Sequence, residues 1–283
     1  MFILLSCLET VKKIGITDFL EKSNGKCIID VRSEGEFLKG HIENAINIPL
    51  FNNEERAKVG TTYKRVGKEK AITQGLEIVG PKMVAILMQV KDEMLKQVQD
   101  DQHPREVFIY CWRGGMRSNS MGWLLEISGN TVYLLEGGYK SYRHEVIQFL
   151  ETMQLQLKVV GGCTGSGKTE ILGLLQNQGE QIIDLEKLAH HKGSAFGGLG
   201  QEVAPTQEDF DNNLFTELQK LDLNKPIWIE DESKNIGRIY LPLNLLNLIQ
   251  TNPVYFVNVL QQDRIERLVK EYAIHAKPDL QTC

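Results

Sequence analysis

Two short stretches combine residue types and spacings that could do chemistry. The first is Cys111-Trp112-Arg113-Gly114-Gly115-Met116-Arg117-Ser118, a C-x5-R loop. A cysteine beside arginines and ahead of a helix N-terminus is favoured as thiolate, and the thiolate is the nucleophile. Gly114 and Gly115 permit the positive φ angles with which consecutive amides curl around an anion. Such a loop holds phosphate, or a phosphorus–sulfur or phosphorus–selenium donor. Both phosphate-ester hydrolysis and transfer of a sulfur-group atom are therefore open. The bland alternative is an inert buried cysteine, which two glycines and two arginines within six residues disfavour.

The second stretch, Gly162-Cys163-Thr164-Gly165-Ser166-Gly167-Lys168-Thr169, fits G-x4-G-K-S/T. Its amides, freed by Gly162, Gly165 and Gly167, would cradle a diphosphate. Lys168 would reach the terminal phosphate, and the Thr169 hydroxyl suits Mg²⁺. Downstream, Pro226-Ile227-Trp228-Ile229-Glu230-Asp231-Glu232 reads as an apolar strand delivering carboxylates, with Asp231 as a metal partner through water. A solvated acidic turn is the plainer reading of the same residues. Cys163 reads as a small filler.

Both loops need a strand to end on and a helix to open. The spacing predicts strands at Cys27–Val31, Ala45–Ile48, Val107–Tyr110 and Thr131–Leu135, with a helix opened by Pro81 (Met83, Ile86, Leu87, Val90, Met94, Val98) and ended by a break at Pro104. A Gly137-Gly138 turn leads into a helix to about Thr152. The second half repeats the alternation, with strands at Leu155–Val160, 181–184, 226–230 and 254–259 and helices at Glu170–Gln176 and around Arg264–Tyr272. Strands alternating with helices make a parallel sheet wrapped by helices. The chain is thus predicted to hold two α/β domains, 1–152 and 153–283, joined near Met153 and Gln154.

Length and composition agree. The 283 residues suit two domains, and 42% hydrophobic with 24% charged residues excludes long disorder. A net charge of −5 gives no general attraction to nucleic acid. One basic stretch stands out at 56–70, with Lys64, Arg65 and Lys68 at its heart; it reads as a solvated loop or a local nucleic-acid patch. No apolar run approaches the roughly 20 residues of a membrane span. In MFILLSCLETVKK the apolar stretch precedes the lysines, the wrong order for a secretory signal, so a cytoplasmic chain is expected. Five scattered cysteines (7, 27, 111, 163, 283) argue against a disulfide framework or a zinc site. Asp30 is expected to hold Arg32 or the loop backbone, His41 to be a buried hydrogen-bonding histidine, and His190-His191 to lie in a loop without metal partners.

Taken together, these residues resemble one family, the tRNA 2-selenouridine synthases. Asp30-Val31-Arg32-Ser33 with Glu36-Phe37 and Gly40-His41-Ile42 resembles the opening of a rhodanese domain, and CWRGGMRS at 111–118 is similar to the family's active-site loop. Pro49–Thr61, Val79–Lys82, Asp184–Glu186, His191–Gly197 and Glu230–Ser233 are similar as well. The resemblance implies a rhodanese-like parallel-sheet domain followed by a P-loop NTPase-like α/β domain. It implies modification of the tRNA wobble uridine at position 34, with geranyl diphosphate and selenophosphate as co-substrates and no tightly bound cofactor. The 2-thiouridine sulfur is geranylated, and the geranylthio group is then displaced by selenium to give 2-selenouridine. Cys111 would handle selenium, with Arg113, Gly114, Gly115, Met116, Arg117 and Ser118 around the selenophosphate anion. The P-loop is expected to hold geranyl diphosphate in place of ATP, with Mg²⁺ at Thr169 and Asp231, and Lys64, Arg65 and Lys68 to grip the anticodon arm. Family members usually continue past the ending at 276–283, so a truncated second domain is expected. Two rivals remain: a C-x5-R phosphatase fused to a kinase-like domain, and an inactive tRNA-binding adaptor.

Overall fold

The computed structural model describes residues 11–97, 105–194, 197–198 and 200–272. Cys7, Val98, Pro104, Ala195, Phe196, Cys283 and the ending at 276–283 lie outside them. The chain forms two compact units, Met1–Glu145 and Val146–Cys283.

In the first unit the elements are β1 (Val11–Ile14), α1 (Ile16–Ser23), β2 (Cys27–Asp30), α2 (Glu34–Phe37), β3 (Ala45–Asn47), α3 (Asn53–Arg65), α4 (Lys68–Val79), α5 (Met83–Gln97), β4 (Glu106–Tyr110), α6 (Met116–Ile127), β5 (Thr131–Leu135) and α7 (Gly138–Thr152), the last crossing the division between units. The five strands form one parallel sheet, β1-β5-β4-β2-β3. Its centre is buried on both faces, as covered parallel sheets are: Ile29, Val107, Phe108 and Ile109 have no exposure.

Strand β1 escaped the sequence reading. It is an edge strand whose Lys12 and Lys13 are exposed, so its pattern is not that of a core strand. The stretch 56–70 is corrected too, because it is helical and not a loop. Helix α3 buries no side chain. It is set by a capping box, in which the Asn52 side chain accepts from the Glu55 amide at 2.9 Å and the Glu55 carboxylate accepts from the Asn52 amide at 3.0 Å. Pro81 does not open an isolated helix; it sits in the 3-10 turn Gly80–Lys82 that links α4 to α5. The helical run Lys68–Lys96 is long and apolar enough to cross a membrane by length and composition alone. One face of it packs into the core through Ile86, Val90 and Met94, while Lys68, Glu69, Lys70, Lys91 and Asp92 are exposed together with Leu76, Val84 and Met88.

The second unit contains β6 (Leu157–Gly162), α8 (Lys168–Asn177), β7 (Gln181–Ile183), α9 (Leu185–Ala189), α10 (Gln207–Gln219), β8 (Ile227–Glu230), β9 (Asn235–Ile236), β10 (Ile239–Tyr240), α11 (Leu243–Thr251), β11 (Val254–Val257) and α12 (Gln261–Tyr272). Its main sheet is parallel, β11-β6-β8-β7, and β9 and β10 pair as a small antiparallel hairpin. In both units the central strand runs straight into a chemistry-bearing loop, β4 into Cys111 and β6 into the loop that ends at Lys168. Open α/β sheets bind ligands at this carboxyl edge.

Candidate active sites at the ends of two central strands

The Cys111 loop is braced from beneath by the next strand–helix joint. Gly138 sits at φ 61°, and a Cβ there would fall 2.3 Å from the Cys111 carbonyl oxygen and 2.4 Å from the Gly114 amide. The amides of Tyr139 and Lys140 donate to the carbonyls of Cys111 at 2.8 Å and Trp112 at 3.0 Å. Gly114 itself stands at φ 63°, so the Gly-Gly joints of loop and brace pack backbone against backbone. The sequence shows Gly137-Gly138 as a turn; its role as the seat of the loop comes from the fold.

Cys111 is 3% exposed. Its Sγ accepts from the Gly115 amide at 3.3 Å, where α6 begins, and lies 3.3 Å from Ser118 Oγ. The amide that meets sulfur thus comes from the N-terminus of α6. Ser118 donates to the Gly115 carbonyl at 3.1 Å and can turn that proton to sulfur when the sulfur is ionised.

The two arginines divide. Arg113 is exposed. Arg117 is tied to Glu36 by two hydrogen bonds, at 2.6 Å and 3.2 Å, and Arg56 stands 3.6 Å from the same carboxylate. Burial would raise the Glu36 pKa, but the Arg117 hydrogen bond and charge, the Ser33 amide and Arg56 outweigh it and hold Glu36 below the usual carboxylate range. Arg117 therefore carries its own counter-charge. Glu36 also caps α2, its carboxylate accepting from the Ser33 amide at 3.2 Å.

Nearby, Arg32 and Asp30 form a fully buried pair at 2.6 Å, and Arg32 Nη2 donates to the Gly40 carbonyl at 2.7 Å while its guanidinium lies 3.8 Å over the Tyr139 ring. This is the structural role expected of Asp30. His41 is half-buried where a buried ring was expected; it stacks on Phe37 at 3.9 Å, its Nδ1 3.3 Å from the Phe37 carbonyl. Opening beside Cys111 is a cavity of about 880 Å³ between α3, α4, the 111–117 loop and α6. Its wall includes Phe51, Val59, Leu76, Met83, Met116 and Trp123. Cysteine 111 meets solvent through this chamber.

The second loop encloses a cavity of about 1160 Å³ with a different character. Gly165 and Gly167 stand at φ 80° and 86°, and a Cβ on Gly167 would lie 1.9 Å from Arg267 Nη1. Lys168 Nζ donates to the Gly162 carbonyl at 3.2 Å, and Thr169 Oγ1 donates to Glu186 at 3.1 Å. Helix α12 lies against the loop: Arg264 donates to the Thr164 carbonyl at 3.4 Å, and Arg267 pairs with Glu170 at 3.4 Å. Arg267 was not foreseen as part of the site, because sequence spacing does not tell that α12 returns to the loop. Cys163 is exposed and not the filler its size suggested.

Carboxylates gather on the same wall. Glu230 is fully buried, its Oε2 accepts from the Leu185 amide at 2.9 Å, and its Oε1 has no partner. Burial first, then the charges of Asp184 and Glu186, push its pKa up to about 9. Burial and Glu186 likewise raise Glu232 to about 7, against the opposing pull of Lys168. Asp231, the expected metal partner of Thr169, does not line the cavity; Glu186 and Glu232 do. Among the described residues no three His, Cys, Asp or Glu side chains form a metal-holding group. Thr169 and Asp231 therefore do not line one cavity; the carboxylates beside Thr169 are Glu186 and Glu232. Lys64, Arg65 and Lys68 are exposed at the junction of α3 and α4, and Lys64 also lines the chamber beside Cys111.

Fold and loops together define a rhodanese-like domain followed by a P-loop-like α/β domain. The rhodanese-like domain family matches residues 16–145, and the family described as tRNA 2-selenouridine synthase AAA domain matches residues 155–282. The tRNA 2-selenouridine synthase of Sulfurovum sp. (strain NBC37-1) is 40% identical over 262 residues, covering 89% of this chain and 68% of that protein. The one from Nitrosomonas europaea is 38% identical over 254 residues, covering 87% and 63%. A solved N-terminal domain from Clostridium difficile 630, of a protein titled as ATP/GTP binding, is 44% identical over 48% of this chain and 98% of its own, with a TM-score of 0.42. The chain belongs to the tRNA 2-selenouridine synthase family. It spans 63% of the length of the Nitrosomonas europaea relative.

Proposed function

We propose that the chain modifies the wobble uridine of tRNA in two steps, one at each loop. In the first, the 2-thiouridine sulfur attacks C1 of geranyl diphosphate; the new C–S bond forms as the C–O bond breaks, and diphosphate leaves with the electron pair. The Lys168 loop is the seat for that leaving group. Its amides, Lys168 and Arg267 present fixed positive charge where negative charge develops. In the second step selenium from selenophosphate, handled by Cys111, replaces the geranylthio group. Overall one water supplies the hydrogens, its oxygen goes to phosphorus to give phosphate, and geranylthiol departs. Arg113 and the loop amides from Gly114 to Ser118 meet the selenophosphate anion, and Lys64, Arg65 and Lys68 meet the anticodon arm.

The observation that supports this reading over hydrolysis is the placement of Glu36. A C-x5-R phosphatase needs a carboxylic acid to protonate its leaving oxygen. The acidic side chain bonded to this loop is Glu36, which Arg117 keeps ionised. The test is geranylation of a thiolated anticodon stem-loop by Lys168→Ala. Loss of geranyl transfer with retained selenation of a pre-geranylated stem-loop is expected; unchanged geranylation removes the assignment of the P-loop.

A further inference from the structure

The chamber beside Cys111 is larger and more apolar than its anion requires. Selenophosphate is a compact, highly charged ion, and the loop amides suffice for it. Yet α3 and α4 stand off the loop to leave about 880 Å³ walled by Phe51, Val59, Leu76, Met83 and Trp123. Leu76 is 65% exposed, Met116 51% and Trp123 50%. Apolar surface left in water at the lip of a nucleophile's pocket is the mark of a ligand with an apolar body. The lip is also charged: Lys64 and Arg113 stand on it beside these side chains. An occupant with a hydrocarbon body and a polyanionic frame satisfies both, and a bare nucleobase, whose edges need hydrogen-bond partners, does not suit the apolar floor.

We propose that this chamber binds the hydrocarbon chain carried on the sulfur of the target base, with the flanking phosphates at Lys64 and Arg113. The proposal rests on the two-step reading above and adds to it where the alkyl group goes: into the first unit, against α4, and not back to the P-loop. Seated there, the chain orients the base so that its C–S bond faces Cys111. Gly75 sets the depth of the floor, since a Cβ on it would lie 3.3 Å from the Phe51 ring.

The test measures binding and selenation of two stem-loops, S-geranylated and S-methylated at the target base, by the full chain and by Leu76→Glu. Leu76 is exposed enough for the charge to be carried without loss of folding. Anisotropy should show the S-geranyl stem-loop bound by the unaltered chain at least about tenfold tighter than the S-methyl one, since a few buried methylenes suffice for that ratio. Leu76→Glu should bring the two affinities together, whatever repulsion its charge adds falling on both stem-loops alike. Gly75→Leu, which narrows the floor, should act in the same direction, and circular dichroism checks its fold. Equal binding of the two stem-loops by the unaltered chain, or equal weakening of both by Leu76→Glu, overturns the proposal. So does a change of oligomeric state in Leu76→Glu on sedimentation, which would make the chamber a contact between copies. If the unaltered chain selenates neither stem-loop, the two-step reading fails; if it selenates the S-geranyl stem-loop yet binds both equally, the chamber assignment alone fails.

Discussion

The two loops occupy the same place in two sheets, yet their surroundings are opposite. At Cys111 two arginines are paired, Arg117 with Glu36 and Arg32 with Asp30, and the open wall is mostly hydrocarbon with Lys64 and Arg113 at its lip. At Lys168 the wall is lined with Asp184, Glu186 and Glu232 against Lys168 and Arg267, and charges are left in competition. A largely apolar pocket with cations at its lip suits a nucleophile that displaces a greasy group from a polyanion. A charged, wet pocket suits departure of a diphosphate, whose charge those cations offset. The lesson is that the carboxyl edge of a parallel sheet supplies the loop, while the helices packed on it decide which chemistry the loop can do.

The largest effect that would sharpen this contrast is on selenation. Cys111→Ser should reduce selenium transfer to a pre-geranylated stem-loop on the order of a thousandfold while leaving geranylation intact; loss of both would merge the two sites. Next, Arg267→Ala should raise KM for geranyl diphosphate roughly ten- to a hundredfold, the value of a charge-assisted contact, and leave selenation alone. Smaller is the effect of Gly138→Ala, which drives a methyl group into the Cys111 carbonyl. It should cost about 3 kcal/mol of stability by urea unfolding, with the loss centred on the first unit.

How much of this was legible in the sequence follows from what fixes each part. The C-x5-R and G-x4-G-K-T loops are local, since backbone curl and charge are set by adjacent residues, so both were visible. Eight strands of the two sheets stood out as short apolar runs, the central β2, β4, β6 and β8 being the most buried. What is not local was invisible: β1 hides behind two lysines at an edge, and Arg267 reaches Gly167 from a helix 100 residues away. Helix α3 was passed over for another reason: its Asn52-x-x-Glu55 cap is local, but no buried face marks the residues after it. Asp231 was chosen by spacing alone; the turn after β8 sends Glu232 to the cavity in its place.

Buried Glu230 gives a pH test of the second unit. The Glu230 pKa, raised from 4.5 to about 9, means the folded chain holds a proton that the unfolded chain has lost between those values. The stability it contributes is complete below pH 4.5 and is lost as pH rises toward 9. Glu230→Gln should therefore raise Tm by roughly 5 °C at pH 8 and leave it unchanged near pH 4; calorimetry showing no pH dependence of the gain would contradict the burial argument. Weakest of all is the surface effect. Neutralising Lys64, Arg65 and Lys68 should lower the salt dependence of tRNA binding by a slope of about 2, with the same fractional loss for every tRNA sequence; an unchanged slope places the RNA elsewhere.

The central claim is that each loop performs one of two successive steps. Mass analysis of wobble nucleosides, in tRNA from cells relying on this chain's Cys111→Ser or Lys168→Ala variant, tests it most directly. The account predicts accumulated 2-geranylthiouridine with Cys111→Ser, and unaltered 2-thiouridine with Lys168→Ala. The same nucleoside accumulating in both strains would contradict it.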